Sequence, residues 1–137
     1  MKKVILIVVF VIAGLIAVYF LPKITKPPEN KFERQILSSE SYPEAVLEIA
    51  GQINDLSPTP PTAETWIVRE LEFVKGDPHA YVIYHDTHNV FRILIETGKG
   101  RYRTVAAFEP VDSGWKLAGG KDLAKGKETV RIMTNNQ

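Results

Sequence analysis

An uncharged, strongly apolar run of eighteen residues, residues 4–21, constrains this chain more than any other feature. At about 1.5 Å of rise per residue, a helix of that length extends about 27 Å, close to the bilayer's hydrocarbon thickness of about 30 Å. Fourteen of the eighteen residues are Val, Ile, Leu or Phe, which insert into bilayers favourably. The sequence therefore predicts an N-terminal transmembrane anchor over residues 1–21.

A cleaved signal peptide is the main alternative for this run. Such a peptide has an apolar core of about 7–15 residues, followed by small residues at its cleavage site. Here the run is longer and ends in the bulky residues Tyr19, Phe20 and Leu21, and the chain has no cysteine to carry a lipid. We therefore favour an uncleaved anchor.

Two signals that predict the side of the membrane disagree. Positive charges favour the cytoplasm, and more of them follow the run than precede it. They are Lys2 and Lys3 before the run, and Lys23, Lys26, Lys31 and Arg34 after it. However, a short basic N-terminus followed at once by an apolar run is the form of a signal-anchor, which exports the rest of the chain. We favour export, which places the C-terminal domain outside the cytoplasm.

Beyond the run, the chain has the length of one small folded domain. Residues 22–30 are proline-rich and predict an extended stalk, because proline disrupts the hydrogen bonding of both helix and sheet. Residues 31–137 are sufficient for one hydrophobic core and too few for two. The short stalk is expected to hold this domain close to the bilayer. Without cysteine, the chain has no disulfide, thiolate zinc site or thiol nucleophile.

One or two helices are predicted at the start of the domain. The first covers residues 31–40, and the second starts at Ser41, because Ser41 and Glu44 have the spacing of a capping box. Apolar residues then recur at helical spacing and predict one buried stripe. The stripe comprises Val46, Leu47, Ile49, Ala50 and Ile53.

After a proline-rich crossover, residues 56–63, the apolar period changes from helical to alternating. Strands are predicted over residues 66–74, 80–85, 90–97, 102–109, 114–118 and 128–134. Their short connections predict that consecutive strands are antiparallel neighbours, which is a meander. The predicted fold class is therefore α+β, with one or two helices packed on a curved antiparallel meander of five or six strands.

This element order resembles that of cystatin-like and NTF2-like folds. Small membrane-anchored domains of the NTF2-like kind occur in secretion assemblies. The resemblance covers the domain after the stalk and rests on the order of elements, so it assigns a role to no residue.

All three histidines lie near the second predicted strand. His79 and His85 are about 20 Å apart at about 3.3 Å per residue, which is too far to share an ion. His85, Asp86 and His88 can converge at the following turn, but a zinc site usually needs three or four protein ligands. Asp at a turn commonly bonds the local backbone instead. We favour turn chemistry and predict neither a metal nor another cofactor.

Patterns typical of catalysis or nucleic-acid binding are weak. No serine lies in a Gly-x-Ser-x-Gly elbow, and no glycine-rich phosphate loop opens a helix. Glu70 and Glu72 share one face of a strand, where two glutamates facing solvent are far commoner than an acid/base pair. Arg101 and Arg103 point away from Tyr102 in a strand, so a combined phosphate-binding and base-stacking surface is not expected.

Most aromatic residues lie in the predicted strands, where they usually form core. The alternative is a ligand-binding cup between helix and sheet, in which Ala106 or Ala107 leaves room and a tyrosine hydroxyl provides a polar group. The candidate residues for such a pocket, or for a contact surface, are Trp66, Tyr84, His85, His88, Tyr102 and Trp115.

Together these features predict a non-enzymatic, single-pass membrane protein whose small α+β domain contacts another protein near the bilayer. The expected partners are the lipid bilayer and an unidentified protein, and nucleic acid is not expected. Ala13 and Ala17, four residues apart in the span, leave a homo-oligomer open. The alternatives are an NTF2-like small-ligand cup and, behind it, a hydrolase.

Overall fold

Six strands form one antiparallel sheet in the part of the chain that the computed structural model describes, residues 31–62 and 64–134. In chain order they are β1 (Ile67–Val74), β2 (His79–His85), β3 (Val90–Gly98), β4 (Arg101–Val111), β5 (Gly114–Gly120) and β6 (Thr129–Met133). Among the described residues, one α-helix, α1 (Tyr42–Leu56), precedes them and packs on the sheet. The predicted α+β class and the six antiparallel strands are confirmed.

The position of the last strand corrects the predicted topology. The sheet order is β5-β4-β3-β2-β1-β6, so β1 to β5 form a meander, whereas β6 returns to pair with β1 at the opposite edge. The connection before β6, residues 121–128, has eight residues. Eight residues reach about 26 Å, enough to cross the five strand spacings of about 4.8 Å that separate β5 from β6. We term residues 121–128 the strap and the sheet face that it crosses the outer face; α1 lies on the inner face.

Helix α1 begins where predicted, but the predicted capping box is wrong. A 3-10 turn, Ser39–Ser41, runs directly into the helix and gives Ser41 helical backbone angles (φ −86°, ψ −11°). A capping residue needs an extended backbone to aim its oxygen at the first turn. The Ser41 hydroxyl instead lies 3.2 Å from the Ser38 hydroxyl and makes no capping bond.

The buried stripe of α1 differs from the predicted one. Val46 and Ala50 are only partly buried, and Leu47 is 76% exposed. The buried residues are Tyr42, Ala45, Ile49, Ile53 and Leu56. Tyr42 was missed because its burial depends on a sheet residue, Phe73, whose ring stacks on it with centroids 4.2 Å apart.

The helix predicted over residues 31–40 is wrong, since this described segment contains no α-helix. Gln35 N donates to Thr97 O (2.8 Å), and Thr97 Oγ1 donates to Gln35 O (2.5 Å). Gly98 permits the approach, because a Cβ added there would lie 2.8 Å from Glu33 O. The segment thus satisfies its backbone against the end of β3, a tertiary contact that overrides helix propensity.

Apolar clusters lie on both faces of the sheet. The larger one fills the space between α1 and the inner face and includes the fully buried Leu71, Val82 and Ile93. The smaller one lies on the outer face beneath the strap. It comprises Val74, Tyr81, Leu94, Ala106, Phe108 and Ala124.

Within residues 31–62 and 64–134, no helix has the length and hydropathy of a membrane span. The predicted anchor, residues 1–21, and the predicted stalk, residues 22–30, lie outside the described residues.

Candidate functional site

An apolar groove of about 410 Å³ runs between α1 and the edge strand β6. It is lined by Pro43, Val46, Leu47 and Ala50 from the helix and by Ile132, Met133 and Thr134 from the strand and its end. The groove exists because α1 buries a different stripe of side chains in the core. The side of the helix that lines the groove is therefore left facing the sheet edge.

One large apolar side chain at this groove, Leu47, is 76% exposed. Met133 also lines the groove and is 52% exposed, but its register opposite Glu70 places its side chain on the outer face, beside that of Arg131. Removing apolar surface from water is favourable by about 25 cal/mol per Å², so an exposed apolar side chain at an apolar groove is typical of a contact surface. One sequence signal was available: Val46 and Leu47 are adjacent, and adjacent residues on a helix do not share a face. Val46 and Leu47 therefore could not both lie at the centre of the buried stripe.

β6 is an edge strand, and among the described residues no other strand pairs with its outer side, which lies beside the groove. Lys75 N donates to Glu128 O (3.0 Å), and Thr134 N donates to Arg69 O (3.1 Å). Between these ends the register is regular, so every second residue of β6 bonds β1 and the others turn their N–H and C=O away from it. The outward-facing residues are Thr129, Arg131 and Met133. The edge thus presents three donors and three acceptors in strand geometry.

On the outer face of the same edge, carboxylates and arginines alternate across the strands. Arg131 Nε lies 2.8 Å from Glu70 Oε1, and its Nη2 lies 3.2 Å from Glu72 Oε1. Arg92 Nη2 donates to the other oxygen of Glu72 (2.6 Å). The side chains of Glu70 and Glu72 are only 9% and 13% exposed, which corrects the prediction that they face solvent. The strand alternation was predicted correctly, but the pairing with Arg131 depends on where β6 lies.

The pKa of Glu70 depends on the groups around it. Burial raises the pKa of Glu70, and the adjacent carboxyl of Glu72 raises it further, whereas the Arg131 guanidinium opposes both. Each carboxylate is paired with an arginine, and this arrangement is that of a structural ion-pair network.

The strap is fastened to this face by polar bonds as well as by buried Ala124. Tyr81 Oη donates to Asp122 Oδ1 (2.6 Å), and burial together with that carboxylate raises the pKa of Tyr81. The Arg92 guanidinium lies 3.8 Å from the centre of the Tyr81 ring. At the other end, Lys127 Nζ donates to Asp77 Oδ2 (2.5 Å). These bonds fix the path of the strap and hence the position of β6.

Two of the candidate pocket residues, Trp66 and Tyr84, are brought together in the inner core. Their rings meet edge to face, with centroids 5.0 Å apart. Trp66 Nε1 donates to Thr59 O (3.0 Å), and the Tyr84 hydroxyl lies 3.0 Å from the Ser57 hydroxyl. Burial raises the pKa of Tyr84, and the bond to Ser57 opposes this. These polar groups tie the proline-rich crossover to the sheet.

A small cavity lies next to this aromatic pair. Its volume is about 140 Å³, and Tyr84, Phe91 and Ala107 are among its lining residues. Ligand pockets for small molecules usually have about 300–1,000 Å³. Ala107 lines this cavity, but α1 does not, and the space is smaller than such a ligand needs.

The two histidines among the candidates, His85 and His88, lie at the turn between β2 and β3. Buried Asp86 accepts there from the backbone N–H groups of His88 (2.8 Å) and Asn89 (2.7 Å), and from the Thr62 N–H (2.8 Å) and hydroxyl (2.6 Å). His85 Nδ1 lies 3.1 Å from the Asp86 carbonyl oxygen. Although burial alone raises the pKa of Asp86, these hydrogen bonds hold it well below its ordinary value. Within the described residues, no three His, Asp or Glu side chains are grouped to hold a metal ion.

The last two candidates, Tyr102 and Trp115, lie apart from the others. Tyr102 on β4 donates to Glu48 Oε2 of α1 (2.5 Å), and burial together with Glu48 raises its pKa. Trp115 on β5 is half-buried and packs against the outer cluster. The six candidates therefore do not form one site.

No known protein family matches the chain, and neither the curated proteins nor the solved structures include a match. The cystatin-like or NTF2-like resemblance stays a prediction from element order.

Proposed function

We propose that this chain is a membrane-anchored, non-enzymatic domain that binds another protein through the groove between α1 and β6. The observation that carries the proposal is the exposure of Leu47 at an apolar groove whose other wall is the edge strand β6. The apolar cluster on the outer face is covered by the strap, whereas no residue of the described part of the chain fills this groove.

The membrane part of the proposal is supported by the sequence. Residues 4–21 have the length and composition of a membrane span, and residues 22–30 are few. The nine residues of this stalk reach at most about 30 Å, so the groove works near the bilayer surface. The partner is then a membrane protein or a protein held at the same surface.

Site-specific photocrosslinking in intact membranes tests the contact surface. A photoreactive amino acid is placed at Leu47, at Met133 and, as a control, at Leu117, which is 44% exposed on β5 at the opposite sheet edge. We expect crosslinked products of the same mass from Leu47 and Met133 and none from Leu117. The same products are expected to disappear when Ala50→Glu places a charge in the groove.

Equal labelling from Leu117, or products that survive Ala50→Glu, contradict the proposal. Retention of Ala50→Glu in the membrane fraction and an unchanged far-UV spectrum show that the variant is inserted and folded.

A pair of topology reporters fused after Gln137 tests the membrane orientation. One reporter is active only outside the cytoplasm and the other only inside it. Export predicts activity of the first alone, and the fusion is expected to stay in the membrane after extraction at alkaline pH. Release of the fusion by that extraction contradicts an uncleaved anchor.

A further inference from the structure

We propose that the groove binds an extended segment of the partner, which adds to β6 as a seventh strand and alternates apolar with acidic side chains. This inference rests on the proposed function and specifies its partner. An edge strand with unpaired backbone groups pairs readily with an extended peptide, whose alternate side chains then enter a neighbouring pocket.

The backbone geometry favours strand addition over side-chain contact alone. Thr129, Arg131 and Met133 direct their N–H and C=O groups away from β1, so an added strand finds three regularly spaced donor and acceptor pairs. On the inner face, side chains of such a strand lie next to Ile132 and within reach of Leu47. That face of the added strand must therefore be apolar.

Charge complementarity determines the other face of the added strand. Within β6 the charged residue is Arg131, and its side chain lies on the outer face. Arg131 is 64% exposed, and its contacts with Glu70 and Glu72 use Nε and Nη2, whereas a guanidinium has five N–H donors. A carboxylate opposite Arg131 can thus be accepted on the outer face.

On the inner face the groove is lined by apolar side chains. Helix α1 contributes Pro43, Val46, Leu47 and Ala50 to it, and a carboxylate buried against them would lose its water without gaining a partner. An acidic side chain is therefore disfavoured on the helix side and favoured on the Arg131 side. Because strand side chains alternate between faces, the two requirements together specify alternating apolar and acidic residues.

A second copy of this chain fits the edge poorly. The antiparallel register that pairs all three outward-facing residues of two β6 strands places one Arg131 directly opposite the other. Like charges directly opposite each other on adjacent strands are destabilising. The occupant is therefore a different protein.

Peptide binding to the full chain in detergent micelles tests this inference. The probe is a fluorescein-labelled heptapeptide of alternating valine and glutamate, and the matched controls are the valine/lysine peptide and a peptide of the same composition with its glutamates grouped at one end. Binding is measured by anisotropy near pH 7. We expect the alternating valine/glutamate peptide to bind at least about tenfold more tightly than either control.

Two proline variants test the strand geometry. Thr129→Pro and Met133→Pro each remove an outward-facing N–H without removing a bond to β1, as proline is tolerated on the open side of an edge strand. We expect each to weaken binding about tenfold, whereas Met133→Leu binds within about twofold of the unmodified chain. Circular dichroism verifies folding.

Hydrogen exchange on the unmodified chain gives a readout that needs no variant. Saturation with the peptide is expected to slow exchange of the Arg131 and Met133 amides and to leave the Val130 and Ile132 amides, already bonded to β1, unchanged. Equal binding of the valine/lysine peptide, unchanged binding by both proline variants, or unchanged exchange at Arg131 overturns strand addition. If crosslinking from Leu47 succeeds in that case, the groove is still a contact surface and only the strand inference fails.

Discussion

Arg131 on the edge strand β6 holds the buried carboxylate of Glu70 on β1, with Nε 2.8 Å from Oε1. The Glu70 side chain is 9% exposed, whereas that of Arg131 is 64% exposed. The pair therefore fixes β6 to the sheet from its outer face and leaves part of a guanidinium accessible at the edge. This is the edge to which we assign a partner strand.

The charge of Glu70 is expected to reduce stability near neutral pH. Burial raises its pKa in the folded state above the ordinary value of 4.5, so folding favours the protonated form. The corresponding stability is fully present below the unfolded-state pKa and is lost as pH rises through the folded-state pKa. Glu70→Gln keeps the shape without the charge and is expected to gain stability relative to the native chain as pH rises. A difference of one between the two pKa values corresponds to about 1.4 kcal/mol.

Urea unfolding at several pH values between about 4 and 7 measures this trend. Glu109→Gln is the matched control, because the Glu109 side chain is 50% exposed on β4. A stability difference between Glu70→Gln and the native chain that does not change with pH contradicts the prediction.

Alanine substitutions at two glycines with the same φ distinguish the cost of backbone strain from the cost of a steric clash. Gly120 and Gly126 both have φ of +77°, but a Cβ on Gly120 would lie 2.1 Å from Val105 O, whereas a Cβ on Gly126 would meet nothing within 4 Å. We expect Gly126→Ala to cost about 1–2 kcal/mol from the positive φ alone. Gly120→Ala is expected to cost at least about 3 kcal/mol, because backbone must also shift where the strap leaves β5. Equal unfolding free energies of the two variants would show that the strap is not closely seated there.

Asp86 is expected to stabilise the fold through its hydrogen bonds. Asp86→Ala removes the acceptor of four bonds from Thr62, His88 and Asn89 and should lower the unfolding midpoint at pH 7. Because the folded-state pKa is lowered, this stability is present above the unfolded-state pKa of 3.8 and is lost as pH falls through the folded-state value. The gap between native chain and variant should therefore narrow in acid.

A second turn aspartate provides the control for Asp86. Asp112 lies exposed in the turn between β4 and β5, and Asp112→Ala is expected to leave the midpoint unchanged. Thermal unfolding monitored by circular dichroism is sufficient for both variants. A larger loss for Asp112→Ala than for Asp86→Ala contradicts this interpretation of the turn.

Because Leu47 is exposed, its substitution is expected to affect the free energy of unfolding less than substitution of the buried Ile49 on the same helix. Leu47→Ala is expected to change the free energy of unfolding by less than about 0.5 kcal/mol. Ile49→Ala, at a residue that is 0% exposed, is expected to cost about 2–5 kcal/mol. Chemical unfolding measures both, and Leu47→Ala should nevertheless abolish crosslinking from Met133. A large loss of stability in Leu47→Ala would mean that this side chain is buried.

Periodicity in the sequence was sufficient to predict the strands. Residues 66–74 and 90–97, for example, agree with β1 and β3 to within one residue at each end. It also placed Glu70 and Glu72 on one face of one strand. The prediction of a helix over residues 31–40 was wrong because the backbone of this segment bonds Thr97, which lies more than fifty positions away in the sequence.

The sequence by itself determined the α+β class, the strand bounds to within two residues, and an apolar run, residues 4–21, with the length of a membrane span. Only the tertiary structure decided that β6 returns to β1, and with it the groove beside Leu47 and the pairing of Arg131 with Glu70. Side-chain periodicity reports which face of an element is buried, but the choice of neighbour depends on competition between sheet edges. The strap directs β6 to the edge formed by β1, because Ala124 and Asp122 hold the strap across the outer face.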